Sequence, residues 1–325
     1  MSEVKVAFVG AGGNASGHMN RVNDIEGARL VAICDLDEGR AKEAAGKFNA
    51  KAYTDQNKMI DAEDFDALYV SVPPFAHTDA EIKAAQKGAA VLVEKPVAIT
   101  MDKGLEVWEA IKKAGVISCV GYQVRYVPTV DLAKKFLEGK TIAMVNVARW
   151  GGLPPTPWWR VMSKSGGQIV EQTTHQVDMI RCLCGEITEV CSNYALRMLT
   201  DVENLDVPDV MAVTFKMACG AVGCLTSSCG LINGGGKGDF DVVADKSVLK
   251  WSSSAISAVP GEHPELAVEL PASPTIDQVF VEAVRTKDAS KIRSDYFDAL
   301  KSLDVCLAMN DSAETGKPVV PYFAK

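Results

Sequence analysis

The amino-acid sequence predicts an α/β chain in two parts: a doubly wound parallel sheet, then an α+β part with a mostly antiparallel open sheet. Three observations lead there. Up to about residue 120, short apolar runs alternate with amphipathic helical stretches, the pattern of repeated βα units. A glycine-rich turn follows the first apolar run directly. From about residue 122 strand-like runs succeed one another with few helices between them. The expected boundary gives parts at 1–121 and 122–325.

The first apolar run, residues 4–9, reads as a buried strand, and Gly10-Ala11-Gly12-Gly13-Asn14-Ala15 follows it. This is the G-x-G-x-x-A form of the dinucleotide fingerprint. Gly10 permits the tight turn, Gly12 lets a pyrophosphate approach the backbone, and Ala15 lets the next helix pack closely. The helix N-terminus, with Gly13 and Asn14 in its first turn, offers free N–H groups and a positive dipole end. Residues 30–34 form the next strand and end in Asp35, placed to bond the adenosine ribose hydroxyls. A carboxylate there repels a 2′-phosphate, so NAD is the expected cofactor. Arg40, a few residues on, is the feature that would admit NADP.

The alternation continues. Residues 38–48 are helical, with Ala41, Ala44, Ala45 and Phe48 on one side. Residues 67–72, including Ser71, form a strand stopped by Pro73-Pro74. A helix over 77–87, opened by His77, is closed by Gly88. Residues 91–93 form a strand leading into Glu94-Lys95-Pro96; Thr100 caps a helix running to 114, and 117–120 is another strand. The glycine turn, Asp35, the Ser71–Pro74 stretch and Glu94–Pro96 thereby fall on the carboxyl edge of one sheet, where ligands bind in open parallel sheets. A lysine on that edge can reach a bound ligand.

The second part is read as a helix over 129–138 and strands at 142–149, 190–198, 210–217, 221–227, 240–244 and 266–270. A glycine turn is expected at 234–236, and closing helices at 277–285 and 294–310. One further helix, over 168–178 after Gly166-Gly167, places Glu171, His175 and Asp178 at i, i+4 and i+7 on one face. A carboxylate beside an imidazole orients it and raises its basicity, as a proton-transfer residue requires. The stretch 150–160 carries Trp158, Trp159 and Arg160. Their aromatic faces and guanidinium suit a sugar-like ligand, and tryptophans packed beneath a proline-rich loop fit the same sequence.

Composition excludes several function classes. With 325 residues, 47% of them hydrophobic and 23% charged, the chain has the material for two ordinary globular cores. A net charge of −8 offers nothing to nucleic acid or an anionic membrane, and no apolar run is long enough to span a bilayer. Nine cysteines without framework spacing point to reduced thiols in a cytoplasm. No metal is expected, and Cys182 and Cys184 read as packed thiols near a helix end.

Together these motifs resemble the glucose–fructose oxidoreductase, inositol dehydrogenase and MocA family over nearly the whole chain. The resemblance rests on residues 10–15, Pro73-Pro74 with His77, Glu94-Lys95-Pro96, and Gly166-Gly167 followed by Glu171, His175 and Asp178. It implies a Rossmann first domain that binds NAD(P) through the fingerprint, Asp35, Arg40, Ser71, Pro73, Pro74, His77, Glu94 and Lys95. It implies catalysis by Lys95 and His175, with Glu171 orienting the histidine, and a cis bond before Pro96. Tyr122, Arg125, Trp158, Trp159, Arg160 and Asp178 would then line the pocket of a carbohydrate-like substrate. Glu171 departs from the family, which commonly has aspartate there. The reaction implied is hydride exchange between nicotinamide and a secondary hydroxyl or ketone of a sugar, sugar acid or cyclic polyol. Some relatives use bound NAD for redox-assisted glycoside cleavage, and others are sugar- or cofactor-sensing regulators. Members commonly form homodimers or homotetramers through the outer face of the C-terminal sheet.

Overall fold

The computed structural model describes residues 3–231, 236–270 and 272–324. It divides into two compact units, Met1–Gln123 with Pro274–Leu300, and Val124–Ser273 with Lys301–Lys325.

The first unit is built on six parallel strands: β1 (Val4–Val9), β2 (Ala28–Cys34), β3 (Lys51–Tyr53), β4 (Ala67–Val70), β5 (Ala90–Val93) and β6 (Ser118–Val120). Their order is β3-β2-β1-β4-β5-β6, with Val6 opposite Leu30 on one side and Ala67 on the other. The reversal of direction away from β1 creates a crevice at the carboxyl ends of β1 and β4. Helices α1 (Gly13–Asn23), α2 (Glu38–Phe48), α3 (Gln56–Ala62), α4 (Ala80–Gln86) and α5 (Met101–Ala114) connect the strands. Strands buried on both faces explain the unbroken apolar runs. Their ends follow local chemistry: Asp37 caps α2 through the Arg40 N–H, Thr100 caps α5 through that of Lys103, and Gly115 ends α5 at φ 65°. Where a helix over 77–87 is expected, Pro74–Ala76 make a 3₁₀ turn, His77 stays extended, and α4 starts at Ala80.

The second unit holds α6 (Pro128–Leu137), α7 (Met162–Ser165), α8 (Gly167–Glu171) and α9 (Thr174–Cys184). They accompany a seven-stranded sheet of β7 (Ile142–Trp150), β8 (Ile187–Ala195), β9 (Val210–Met217), β10 (Val222–Ser228), β11 (Phe240–Ala244), β12 (Ser247–Trp251) and β13 (Ile256–Val259). The order is β13-β12-β11-β7-β10-β9-β8, antiparallel except where β10 runs parallel to β7. Residues 266–270, expected as a strand, form turns and irregular chain instead. The missing strands are β12 and β13. The β11–β12 hairpin turns at Asp245 and Lys246, both at positive φ (41° and 67°), and without a glycine this turn left no cue. The turn expected at 234–236 lies largely outside the described residues.

The expected helix over 168–178 is two helices. The N–H groups of Gln172 and Thr173 both bond the Gln168 carbonyl, and the α9 ladder begins with Gln176 and Val177 on Thr173. Glu171 ends α8 whereas His175 and Asp178 belong to α9, so the three do not share one continuous helix face.

The last two helices are α10 (Ile276–Thr286) and α11 (Tyr296–Thr315). Residues 274–300, expected in the second part, belong to the first unit. Phe280 meets Tyr69 edge-on at 5.4 Å, Tyr69 stacks on Phe8 at 4.6 Å, and Asp277 pairs with His18 and Arg21 of α1. The face of α1 remote in sequence from α10 is thus completed by it.

Candidate active site

The glycine turn serves two separate needs. Gly10 has φ 98°, and a Cβ there would lie 2.1 Å from the Ser71 carbonyl oxygen, so the fold itself demands glycine. A Cβ on Gly12 or Gly13 would meet nothing within 4 Å. The chain's own packing gives no reason for glycine at either. Gly12 caps α1 with no side-chain acceptor for its first N–H groups, and Ala15 is fully buried behind them. Open space before uncapped N–H groups at a helix N-terminus fits a pyrophosphate.

That turn borders a cavity of about 820 Å³ whose wall includes Gly10, Gly12, Asp35, Arg40, Ser71 and Pro73. Ala11 and Asp37 donate backbone N–H bonds to Asp35, both at 2.9 Å, and the Arg40 guanidinium donates at 2.7 Å. Burial opposes ionisation of Asp35, but Arg40 and the two N–H groups outweigh it and hold the carboxyl below its usual range. The two sequence cues that compete over the 2′-phosphate are therefore one ion pair. Leu36, 89% exposed, and Phe75, 43% exposed, add apolar faces to the same wall. Sequence reasoning missed both; the available signal was an apolar residue just past the acidic strand end. Glycine cradle, strand-end carboxylate and apolar faces together fit a dinucleotide.

Other expected contacts point elsewhere. His77 is buried, its Nδ1 2.6 Å from Glu81, and neither it nor the buried Pro74 belongs to the cavity wall. Glu94, at the end of β5, turns inward. Its Oε1 lies 2.8 Å from His18 Nε2, and its Oε2 accepts the Lys95 N–H at 3.1 Å. A Cβ on Gly121 would lie 2.7 Å from that carboxylate, so glycine there makes room for it. His18 Nδ1 in turn lies 2.6 Å from Asp277, which also binds Arg21. Burial disfavours a charged His18, yet the Asp277 and Glu94 carboxylates raise its pKa to about 9. The sequence reading did not single out His18, because a lone histidine on a helix core face looks like packing. Lys95 is half-buried on the carboxyl edge of the sheet, and the Lys95–Pro96 bond is cis.

In the second unit, Trp159 is 1% exposed, and its Nε1 donates to Glu171 Oε2 at 2.8 Å. It packs with Val207 and Cys229, with Trp158 against the cluster. Trp159 therefore anchors Glu171 from within the core and presents no open face to a ligand. Arg125 and Asp178, 5% and 1% exposed, form a two-pronged pair at 2.8 and 2.6 Å, with Ser302 donating to Asp178. Each is the other's partner, which makes them a structural clamp between α9 and the turn before α6. Tyr122, in the first unit, is buried at 1%. Arg160 is half-buried, with its Nε shielded and without an acceptor among the described residues. His175 lines a cavity of about 230 Å³ with Gln176, Met179, Asp239, Phe240, Trp251 and Ser252. Those sheet residues were not anticipated, since only the register of β11 and β12 brings them to α9.

Among the described residues no cluster of His, Cys, Asp and Glu could hold a metal, and no helix is long and apolar enough to cross a membrane. All nine cysteines are free.

Comparison with known proteins agrees with this geometry. Residues 4–122 match the family described as "Oxidoreductase family, NAD-binding Rossmann fold", and residues 139–249 match its C-terminal domain. The chain is 27% identical to the scyllo-inositol 2-dehydrogenase (NAD(+)) of Bacillus subtilis, over 98% of this chain and 96% of that one. It is 28% identical to the myo-inositol 2-dehydrogenase of Thermotoga maritima, over 69% and 68%. The WlbA dehydrogenase of Bordetella pertussis, solved with NADH and UDP-GlcNAcA, superposes with a TM-score of 0.86 at 23% identity, over 98% of each chain. With an NAD-binding Rossmann unit, a mostly antiparallel second sheet and both family domains in sequence, the chain belongs to the glucose–fructose oxidoreductase, inositol dehydrogenase and MocA family of oxidoreductases.

Proposed function

We propose that this protein exchanges hydride between NAD and a secondary hydroxyl or ketone of a sugar, sugar acid or cyclic polyol. The observation that carries the reading is Lys95, whose backbone N–H bonds Glu94 on the sheet edge that also bears the glycine cradle and Asp35. Relatives named as inositol dehydrogenases give the substrate class.

When bound, NAD supplies the hydride acceptor. Residues 10–15 would hold its pyrophosphate, Asp35 its ribose hydroxyls, and Leu36 and Phe75 its adenine. The pairing of Asp35 favours NAD over NADP. His175 takes the proton of the reacting hydroxyl, Glu171 orients it, and Lys95 donates a hydrogen bond to the oxygen as charge develops there. Glu171 is fixed by Trp159, an arrangement that accommodates its extra methylene relative to aspartate.

Two further expectations belong to this reading. Exposed Met144 and Val222 on adjacent strands β7 and β10 support assembly of a homodimer or homotetramer through the second sheet. Nine free thiols support a reducing, cytoplasmic setting.

The test is NADH formation, followed by absorbance, across a panel of polyols, hexoses and their acids. Lys95→Ala should bind NADH as the parent does and lose turnover by on the order of a hundredfold or more. Full activity in that variant would remove Lys95 from the mechanism, and no NADH with any member of the panel would overturn the reading.

A further inference from the structure

Arg149 is a half-buried guanidinium with no hydrogen-bonding acceptor among the described residues. The arginines Arg21, Arg29, Arg40, Arg125, Arg181 and Arg285 each bond a carboxylate, and Arg149 does not. A guanidinium cannot neutralise itself by losing a proton, and burying part of it without an acceptor is costly. Its Nη1 is shielded from solvent and unsatisfied. Burial pulls its pKa below the usual arginine value, and Cys229 and, after it, the Glu171 carboxylate only partly compensate.

Its position is set by hydrogen bonds rather than chance. Arg149 lies near the end of β7, opposite Ser227 of β10. The Ser227 hydroxyl donates to the Arg149 carbonyl at 3.0 Å and lies 2.9 Å from the Thr173 hydroxyl, which therefore donates to it. Thr173 is the link between α8 and α9, two residues from both Glu171 and His175. Strand β7 is thus tied at Arg149 to the break that separates those two residues. Gly151 contributes to the same setting: a Cβ there would stand 3.4 to 3.5 Å from the guanidinium atoms. Glycine keeps that side of the fork free of a side chain.

We infer that Arg149 is the binding group for a carboxylate of the substrate, so that the preferred substrates are sugar acids rather than neutral sugars or polyols. This rests on the dehydrogenase reading for the reaction itself. A planar fork of N–H donors matches the two oxygens of a carboxylate. Charge chooses between anions by degree: the Glu171 carboxylate nearby opposes a doubly charged phosphate more than a singly charged carboxylate, for which the two-pronged bond to the fork compensates. The sequence reading passed over Arg149 because an arginine at a strand end resembles an exposed edge residue.

The experiment compares matched pairs that differ by a carboxylate: D-glucuronate with D-glucose, D-galacturonate with D-galactose, and D-gluconate with D-glucitol. Both NADH formation and thermal stabilisation of the NADH-loaded protein are read. The parent should favour the acid of at least one pair by about tenfold to a hundredfold in kcat/KM, mostly through KM. Arg149→Met should erase that preference while binding NADH like the parent and unfolding no earlier than it, and Arg149→Lys should restore part of it. Neutral partners used as well as acids, or an acid preference that survives in Arg149→Met, overturns the inference. Acids that stabilise the parent but not Arg149→Met, with no NADH formed, keep the carboxylate site and overturn the dehydrogenase reading. Acids that neither stabilise nor react overturn the carboxylate site.

Discussion

His18 bridges two buried carboxylates brought from distant parts of the chain, with Nε2 2.8 Å from Glu94 and Nδ1 2.6 Å from Asp277. Glu94 bonds the backbone N–H of Lys95, so this histidine stands one residue behind the proposed catalytic lysine. With a pKa raised from 6.5 to about 9, His18 is protonated at neutral pH. A group whose folded pKa is raised stabilises fully below its unfolded pKa and loses that stabilisation as pH rises through the folded value. The unfolding temperature should therefore fall between pH 6.5 and about 9, with a loss on the order of 3 kcal/mol. Asp277, held below its usual range by His18 and Arg21 despite burial, adds a separate loss only in acid, as pH drops through the folded pKa. Thermal unfolding from pH 6 to 10 checks this. His18→Gln should be less stable at pH 7 and should lose the alkaline slope. A parent with no slope would mean a neutral imidazole.

Gly10 and Gly12 should respond differently to alanine. At Gly10 the new Cβ collides with the Ser71 carbonyl at an unfavourable φ, so Gly10→Ala should lose several kcal/mol of stability. At Gly12 the methyl group enters open space. Gly12→Ala should unfold with the parent in the absence of cofactor and show little or no stabilisation by NADH. Equal NADH stabilisation in parent and Gly12→Ala would mean that the pyrophosphate does not lie over that turn.

The Asp35–Arg40 pair should control cofactor choice. NADH at about a hundred times Kd should stabilise the parent by roughly 2.7 kcal/mol, with a much smaller effect from NADPH. Asp35→Ser removes the carboxylate and releases Arg40 to meet a 2′-phosphate, so the preference should narrow or reverse. A parent stabilised by NADPH alone would make Arg40, not Asp35, the dominant ribose contact.

Trp159 should matter to turnover without touching a ligand. Trp159→Phe keeps an aromatic ring in the core but removes the Nε1 donor to Glu171. We expect kcat to fall by about tenfold as the carboxylate loses its fixed position, with NADH binding unchanged. Unchanged kcat in a folded Trp159→Phe would remove Glu171 from the orientation of His175.

The sequence by itself determined the features that depend on near neighbours. The apolar runs of β1, β2, β4 and β5, the glycine turn with Asp35 beyond the next strand, and the caps at Thr100 and Gly115 depend on segments of a few residues each. The family motifs placed Lys95 on the sheet edge for the same reason. Tertiary structure decided the rest, because the partners come from far along the chain. Asp277 reaches His18 across 259 residues, Ser227 reaches Thr173 across 54, and Asp178 takes Arg125 from 53 residues away. A carboxylate or guanidinium reads the same in sequence whether or not something has paired with it. Pairing made Asp178 and Arg125 a buried clamp, and its absence at Arg149 left a guanidinium without an acceptor among the described residues.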